Sequence, residues 1–169
     1  MPTTFELNSV LTSGPYTGDY NWNTGLNWDS GTIPTNNASL VLPTLSGAYT
    51  SVDDIPSISG INLTIGNSVT LIIAAGDTDV QNINGFGTNS LFQTDGSSTV
   101  TIGNGVGGTY AVNGPAATLD ITGFNGVGTF NLFSGTLTFE NNVNFSSGNS
   151  FNFEGDSGGN LTISSQNNI

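Results

Sequence analysis

The chain contains no lysine, no arginine and no histidine. Nothing in it can neutralise phosphate, which excludes DNA and RNA as partners. The same absence excludes adhesion to anionic lipid surfaces by charge, and no ion pair between side chains can form. A serine nucleophile would lack its histidine or lysine base. Cysteine is also absent, which removes thiol chemistry, disulfides and cysteine-based metal sites. Long apolar runs are missing too. The longest, Leu71–Ala75, is far too short to span a bilayer, so membrane insertion is not expected. Met1–Val10 has neither a positive start nor an apolar centre and does not read as a signal peptide. Export by another route, or loss of a leader, is the expectation that follows.

What is present is acidic and turn-rich. Nine Asp and three Glu give a formal net charge of −12 in 169 residues, although charged residues make up only 7% of the chain. That fraction is well below the ~25% of ordinary domains, so the chain lacks the high charge density that marks disorder. With no cation of its own, the protein is expected to attract external ones, calcium above all. Gly 24 and Asn 23 are both high. Both residues tolerate left-handed backbone in tight turns, and stacked Asn side chains can form hydrogen-bonded ladders.

A short unit recurs through most of the sequence: apolar, polar, apolar. It reads Leu63-Thr64-Ile65, Val69-Thr70-Leu71, Val100-Thr101-Ile102, Tyr110-Ala111-Val112, Leu119-Asp120-Ile121, Phe130-Asn131-Leu132, Leu137-Thr138-Phe139, Val143-Asn144-Phe145, Phe151-Asn152-Phe153 and Leu161-Thr162-Ile163. In a strand each unit puts two apolar groups on one side and one polar group on the other. Three residues make a poor strand alone but a sufficient one when stacked on an equivalent unit one coil away. The sequence therefore predicts an all-β, right-handed parallel β-helix, with a β-sandwich as the alternative because it too has short strands at regular spacing. Leu119, Ile121, Phe130, Leu132, Phe139, Val143, Phe145, Phe151 and Phe153 are expected inside. Asn-Gly pairs at Asn84-Gly85, Asn104-Gly105, Asn113-Gly114 and Asn125-Gly126 read as turns, and no stretch carries a helical period. Residues 43–60 read as irregular. One domain is expected, with residues 1–42 an N-terminal strand and capping block and residues 43–169 the coils. The repeat still runs at Ile163, so the C-terminal end is expected to meet more protein.

Both tryptophans lie in the N-terminal block, which reads Tyr20-Asn-Trp22-Asn-Thr-Gly-Leu-Asn27-Trp28-Asp29-Ser-Gly31-Thr-Ile33-Pro34 and is followed by Ser39-Leu-Val-Leu42. Tyr20, Trp22 and Trp28 are expected to cap the open end of the stack, each indole N–H finding a partner at the rim. Their rival role is an aromatic platform for a glycan. Here the chain resembles the N-terminal portion of bacterial β-helical passenger domains, found in autotransporters and related large surface adhesins. Trp22, Asn27, Trp28, Asp29, Gly31, Ile33 and Pro34 carry the resemblance, and the later Gly/Asn/Ser/Thr-rich, cysteine-free repeats agree with it in kind. The resemblance implies an extracellular or bacterial cell-surface rod that meets a host or neighbouring cell, including its glycans.

Chemistry is confined to carboxylates, hydroxyls, amides and aromatics. Asp53-Asp54, Asp77, Asp79, Asp95, Asp120, Glu140, Glu154 and Asp156 are the acid pool. A two-carboxylate glycosidase remains formally open, yet no pair stands out, and the expectation is a non-enzyme with no cofactor. Asp77-Thr78-Asp79 puts two carboxylates on one side of an extended segment, a candidate calcium site without an EF-hand or nonapeptide pattern around it. Gly103–Gly108 mimics a dinucleotide loop in letters only, since no helix follows. The leading functional expectation is adhesion by a rod. The alternative is a subunit that associates end to end in a filament, surface layer or biofilm matrix. Ice binding ranks lower, because it needs Thr64, Thr70, Thr101, Thr138 and Thr162 on one face and their spacing is uneven.

Overall fold

The computed structural model of the chain describes residues 3–7, 19–74, 76–145, 147–153 and 160–164. Thirteen strands lie in these segments: β1 Thr4–Glu6, β2 Asp19–Asn21, β3 Ser39–Leu42, β4 Tyr49–Asp53, β5 Ser57–Ile65, β6 Val69–Ile73, β7 Asp77–Phe86, β8 Leu91–Thr94, β9 Thr99–Val106, β10 Thr109–Gly126, β11 Thr129–Phe145, β12 Ser150–Phe153 and β13 Asn160–Ser164. Every strand pairing is parallel. Parallel neighbours cannot be joined by hairpins, so the chain reaches each partner by going once round. The result is a β-solenoid, and the sandwich alternative falls away. No α-helix occurs among the described residues; one 3-10 turn spans Gly25–Asn27.

Three faces follow from the pairing. Face A stacks β1, β3 and the later parts of β5, β7, β9, β10 and β11. Face B stacks β2, β4, β6, β8, the starts of β10 and β11, and β12. Face C stacks the starts of β5, β7 and β9, the middles of β10 and β11, and β13. On face C, Ile58, Thr78, Val100, Leu119, Leu137 and Leu161 sit in one column, so successive coils take 20, 22, 19, 18 and 24 residues. The corners absorb these differences while the strands stay in register.

The core is a set of columns. On face B, Phe92, Tyr110, Phe130 and Phe151 are stacked in register. Tyr110 and Phe130 lie nearly parallel at 5.4 Å, as do Phe130 and Phe151 at 5.3 Å. Parallel in-register strands force this arrangement, because each side chain meets the equivalent one a strand spacing away. Leu119, Ile121, Phe130, Leu132 and Phe139 are buried as expected, while Val143 and Phe151 are half-buried against the same core. The Phe145 side chain lies outside the described residues. Phe153 departs from expectation: its register partner is Leu132, yet it is 59% exposed. The register places it on the inner side of β12, but among the described residues no strand stacks beyond β12 to cover it.

Two further expectations change. Residues 43–60 contain β4 and the start of β5 rather than irregular chain. β4 hid because its inward residues are Tyr49, Ser51 and Asp53, two of them polar. The Asn-Gly pairs lie within β7, β9 and β10, not in turns. At Gly105 and Gly114 the glycine is needed for close approach: an added Cβ would meet the Phe124 ring at 3.0 Å in one case and the Gly96 carbonyl in the other. The N-terminal strand expected within residues 1–42 is present as β1, with Phe5 and Leu7 both buried; residues 8–10 lie outside the described segments.

Candidate functional site

The aromatic block sits inside the first coil. Tyr20, Trp22 and Trp28 are all fully buried. Trp22 and Trp28 meet edge to face at 5.8 Å, Phe5 packs on Trp28 at 6.2 Å, and Tyr20 packs on Tyr49 at 5.3 Å. Each indole N–H is used: Trp22 Nε1 donates to Ser51 Oγ at 2.8 Å and Trp28 Nε1 to the Trp22 carbonyl at 3.0 Å. Leu7 forms an antiparallel bridge to Trp28 across the end of the stack. These rings fill the cross-section of the coil. They present no face on which a sugar could lie, so a glycan platform at Tyr20, Trp22 and Trp28 has no surface to use.

Asp77 and Asp79 stand exposed on face C. Asp79 Oδ2 accepts the Gly60 N–H at 3.1 Å. Among the described residues no third acidic side chain joins them in a metal-sized group.

Face C carries registered polar columns although the spacing of their residues in the sequence is uneven. Its outward columns run Ser57, Asp77, Thr99, Thr118, Thr136, Asn160 and, alongside, Asp79, Thr101, Asp120, Thr138, Thr162. Thr101, Thr138 and Thr162 share a column because the corners take up the spacing, whereas Thr64 and Thr70 belong to β5 on face A and β6 on face B. The second row, Thr99, Thr118 and Thr136, precedes the apolar units and was missed by reading only their centres. Asp120 interrupts the other row. Burial and the nearby Glu140 carboxylate push its acid pKa up, and its Oδ1 has no hydrogen-bond partner among the described residues.

Inside the solenoid lies a second acid. Asp53 is fully buried; its Oδ2 accepts from Thr78 Oγ1 at 2.8 Å and its Oδ1 from the Ile55 N–H at 3.0 Å. Loss of water around the carboxylate outweighs both hydrogen bonds and pushes the pKa up to about 6, with Asp54 adding to the rise. It is enclosed and touches no surface, so it has no route to a substrate.

Face A holds a groove of about 360 Å³. Asn62, Asn82 and Asn104 form a column there, Asn82 Nδ2 donating to Asn62 Oδ1 at 2.7 Å and Asn104 Nδ2 to Asn82 Oδ1 at 2.9 Å. Asn82 and Asn104 line the groove together with Asn84, Asn125 and Val106. Among the described residues no helix is long and apolar enough to cross a membrane. Comparison with protein families, characterised proteins and solved structures finds no match to this chain.

Proposed function

We propose that the protein is a non-enzymatic, extracellular β-solenoid rod of the adhesin or passenger type, which holds contact surfaces away from a bacterial cell. The observation that carries this reading is the combination of an uninterrupted parallel stack with a chain devoid of cationic and thiol chemistry. Such a stack makes a stiff spacer, and its long outward columns repeat polar groups along one axis. The Trp22–Pro34 block supports the same reading through its resemblance to passenger domains. The enclosed Asp53 and the exposed Asp77 and Asp79 do not favour catalysis. Beads coated with the protein test the reading: they are expected to adhere to a bacterial or host cell surface above the level of beads carrying an equally acidic, unrelated protein. Equal retention on every surface would contradict it.

A second reading rests on face C. Six threonines in two registered columns form a hydroxyl and methyl array at strand spacing, ~4.8 Å between rows, suited to ordering water against a crystal such as ice. Asp77, Asp79 and Asp120 hold their own hydration within the array and weigh against it. Selective incorporation of the labelled protein into a growing ice hemisphere, lost in Thr136→Leu and Thr138→Leu, would favour this reading over adhesion.

A further inference from the structure

Face B carries a regular outward grid. Its outward positions from β4 to β12 form two columns. One runs Thr50, Thr70, Leu91, Thr109 and Thr129; the other begins with Val52 and Ile72 and ends with Asn131 and Asn152. No pairing within this face shifts its register, whereas on face A the β5–β7 pairing shifts between Ile61 and Asn62 and again between Leu63 and Thr64. The rows therefore stand ~4.8 Å apart and the two columns about 6.7 Å apart along the whole face. Val52, Ile72 and Leu91 adjoin on this grid and are each half-buried, so an aliphatic strip edged by threonine methyls faces outward.

The carboxylates lie elsewhere. Between β4 and β12 neither column holds one. Asp77, Asp79 and Asp120 stand on face C and Glu6 on face A, while Asp54 and Asp95 follow β4 and β8 at the corner toward face C. In a chain of net charge −12 with no cation, this distribution decides how two copies can meet. Opposed C faces would press carboxylate on carboxylate, and nothing in the chain offsets that repulsion. Opposed B faces bring together hydroxyls, amides and aliphatic groups. Both copies carry the same row spacing, so their side chains can interdigitate row by row, as packed sheets do ~10 Å apart. A two-fold relation uses one surface twice and closes at two chains. We infer that face B is a self-association surface on which a second copy of this chain packs face to face. Six strands of four residues give the face about 29 by 13 Å, roughly 380 Å² a side, about half the ~800 Å² of a standard interface. The contact is thus weak and reversible, with a dissociation constant of about 0.1–1 mM. Asp54 and Asp95 at its rim make it salt-dependent, and screening their repulsion tightens the pair. Self-association goes beyond the adhesin reading and stands or falls apart from it.

Sedimentation equilibrium of the full chain tests it, from about 20 µM to about 1 mM, in about 0.02 M and about 0.5 M sodium chloride. The expected result is a mean mass that climbs from one chain toward two, with association about threefold tighter at the higher salt. Ile72→Asp and Thr109→Asp each place a carboxylate within the face and should weaken association about tenfold or more. Circular dichroism checks that each variant is folded, and Thr109→Asp decides the matter should Ile72→Asp fail to fold. Thr136→Asp adds the same charge on face C and should leave association unchanged. A chain that stays monomeric to about 1 mM at both salts overturns the inference. Association that survives both face B substitutions, or that Thr136→Asp weakens as much as they do, overturns it equally.

Discussion

Thr78 Oγ1 donates a 2.8 Å hydrogen bond to Asp53 Oδ2 inside the solenoid, joining face C to face B across 25 residues of sequence. The carboxyl's pKa stands at about 6 in the folded chain because burial disfavours the charge, against ~3.9 for an exposed Asp. The folded state therefore binds the proton more tightly than the unfolded state. The stability linked to this proton is fully present below pH ~4 and is lost as pH rises through about 6. The shift of about two pH units corresponds to about 3 kcal/mol of destabilisation at pH 7 relative to pH 4. Melting followed by circular dichroism between pH 4 and 7.5 is expected to show the protein most stable at the acid end. Asp53→Asn should flatten most of that slope by leaving no charge to bury.

The first coil depends on its two indoles. Trp28→Ala or Trp22→Ala should each cost about 3–5 kcal/mol, the range for emptying a fully buried large aromatic site. Ser51→Ala is the finer probe. It strands the Trp22 N–H, whose partner is Ser51 Oγ, and should cost about 1–3 kcal/mol. Urea denaturation of the three variants checks both figures. Ser51→Ala as harmless as a surface change would mean that the indole N–H reaches solvent.

Position within an aromatic column decides what a phenylalanine is worth. Phe130 is stacked between Tyr110 and Phe151 and fully buried, so Phe130→Ala should cost about 3–5 kcal/mol. Phe153 is 59% exposed, and Phe153→Asp should change stability by no more than about 0.5 kcal/mol. The two variants, melted side by side, separate burial from mere membership of an apolar unit.

Gly76 and Gly31 offer a backbone comparison. Both have a left-handed φ, +63° and +69°. A Cβ at Gly31 meets nothing, whereas at Gly76 it would collide with the Pro56 carbonyl of the coil below. Gly31→Ala should cost about 1–2 kcal/mol from conformation alone. Gly76→Ala should cost clearly more, because the coils must move apart, and thermal melting ranks the pair.

Much of the fold was legible because the solenoid writes its register into the sequence. Leu119-Asp120-Ile121 and Leu137-Thr138-Phe139 read as inward, outward, inward, and they pair residue for residue. What escaped was whatever broke that alternation for a reason located on another coil. Ser51 and Asp53 face inward because Trp22 and Thr78 supply their partners, and those partners are distant in sequence. Asn104-Gly105 reads as a turn, but its Asn continues a ladder and its Gly admits Phe124. The candidate site was less visible still. Its Asn82, Asn104 and Asn125 come to line one groove only once coils of 19 and 22 residues are aligned. Tyr20, Trp22 and Trp28 were found from composition, yet only their packing reveals that no sugar can reach them.

The central claim is one stiff, continuous stack of coils, and distances between spin labels test it most directly. The chain has no cysteine, so pairs of engineered cysteines give unambiguous labels. Ser57, Thr136 and Asn160 occupy one outward column of face C, with Thr136 four strands and Asn160 five strands from Ser57. At ~4.8 Å per strand the backbone separations are about 19 Å for Ser57→Cys with Thr136→Cys and about 24 Å for Ser57→Cys with Asn160→Cys. Double electron–electron resonance is expected to return two narrow distributions that differ by about one strand spacing. Broad distributions, or a Ser57–Asn160 distance no longer than Ser57–Thr136, would contradict the stack and the rod built on it.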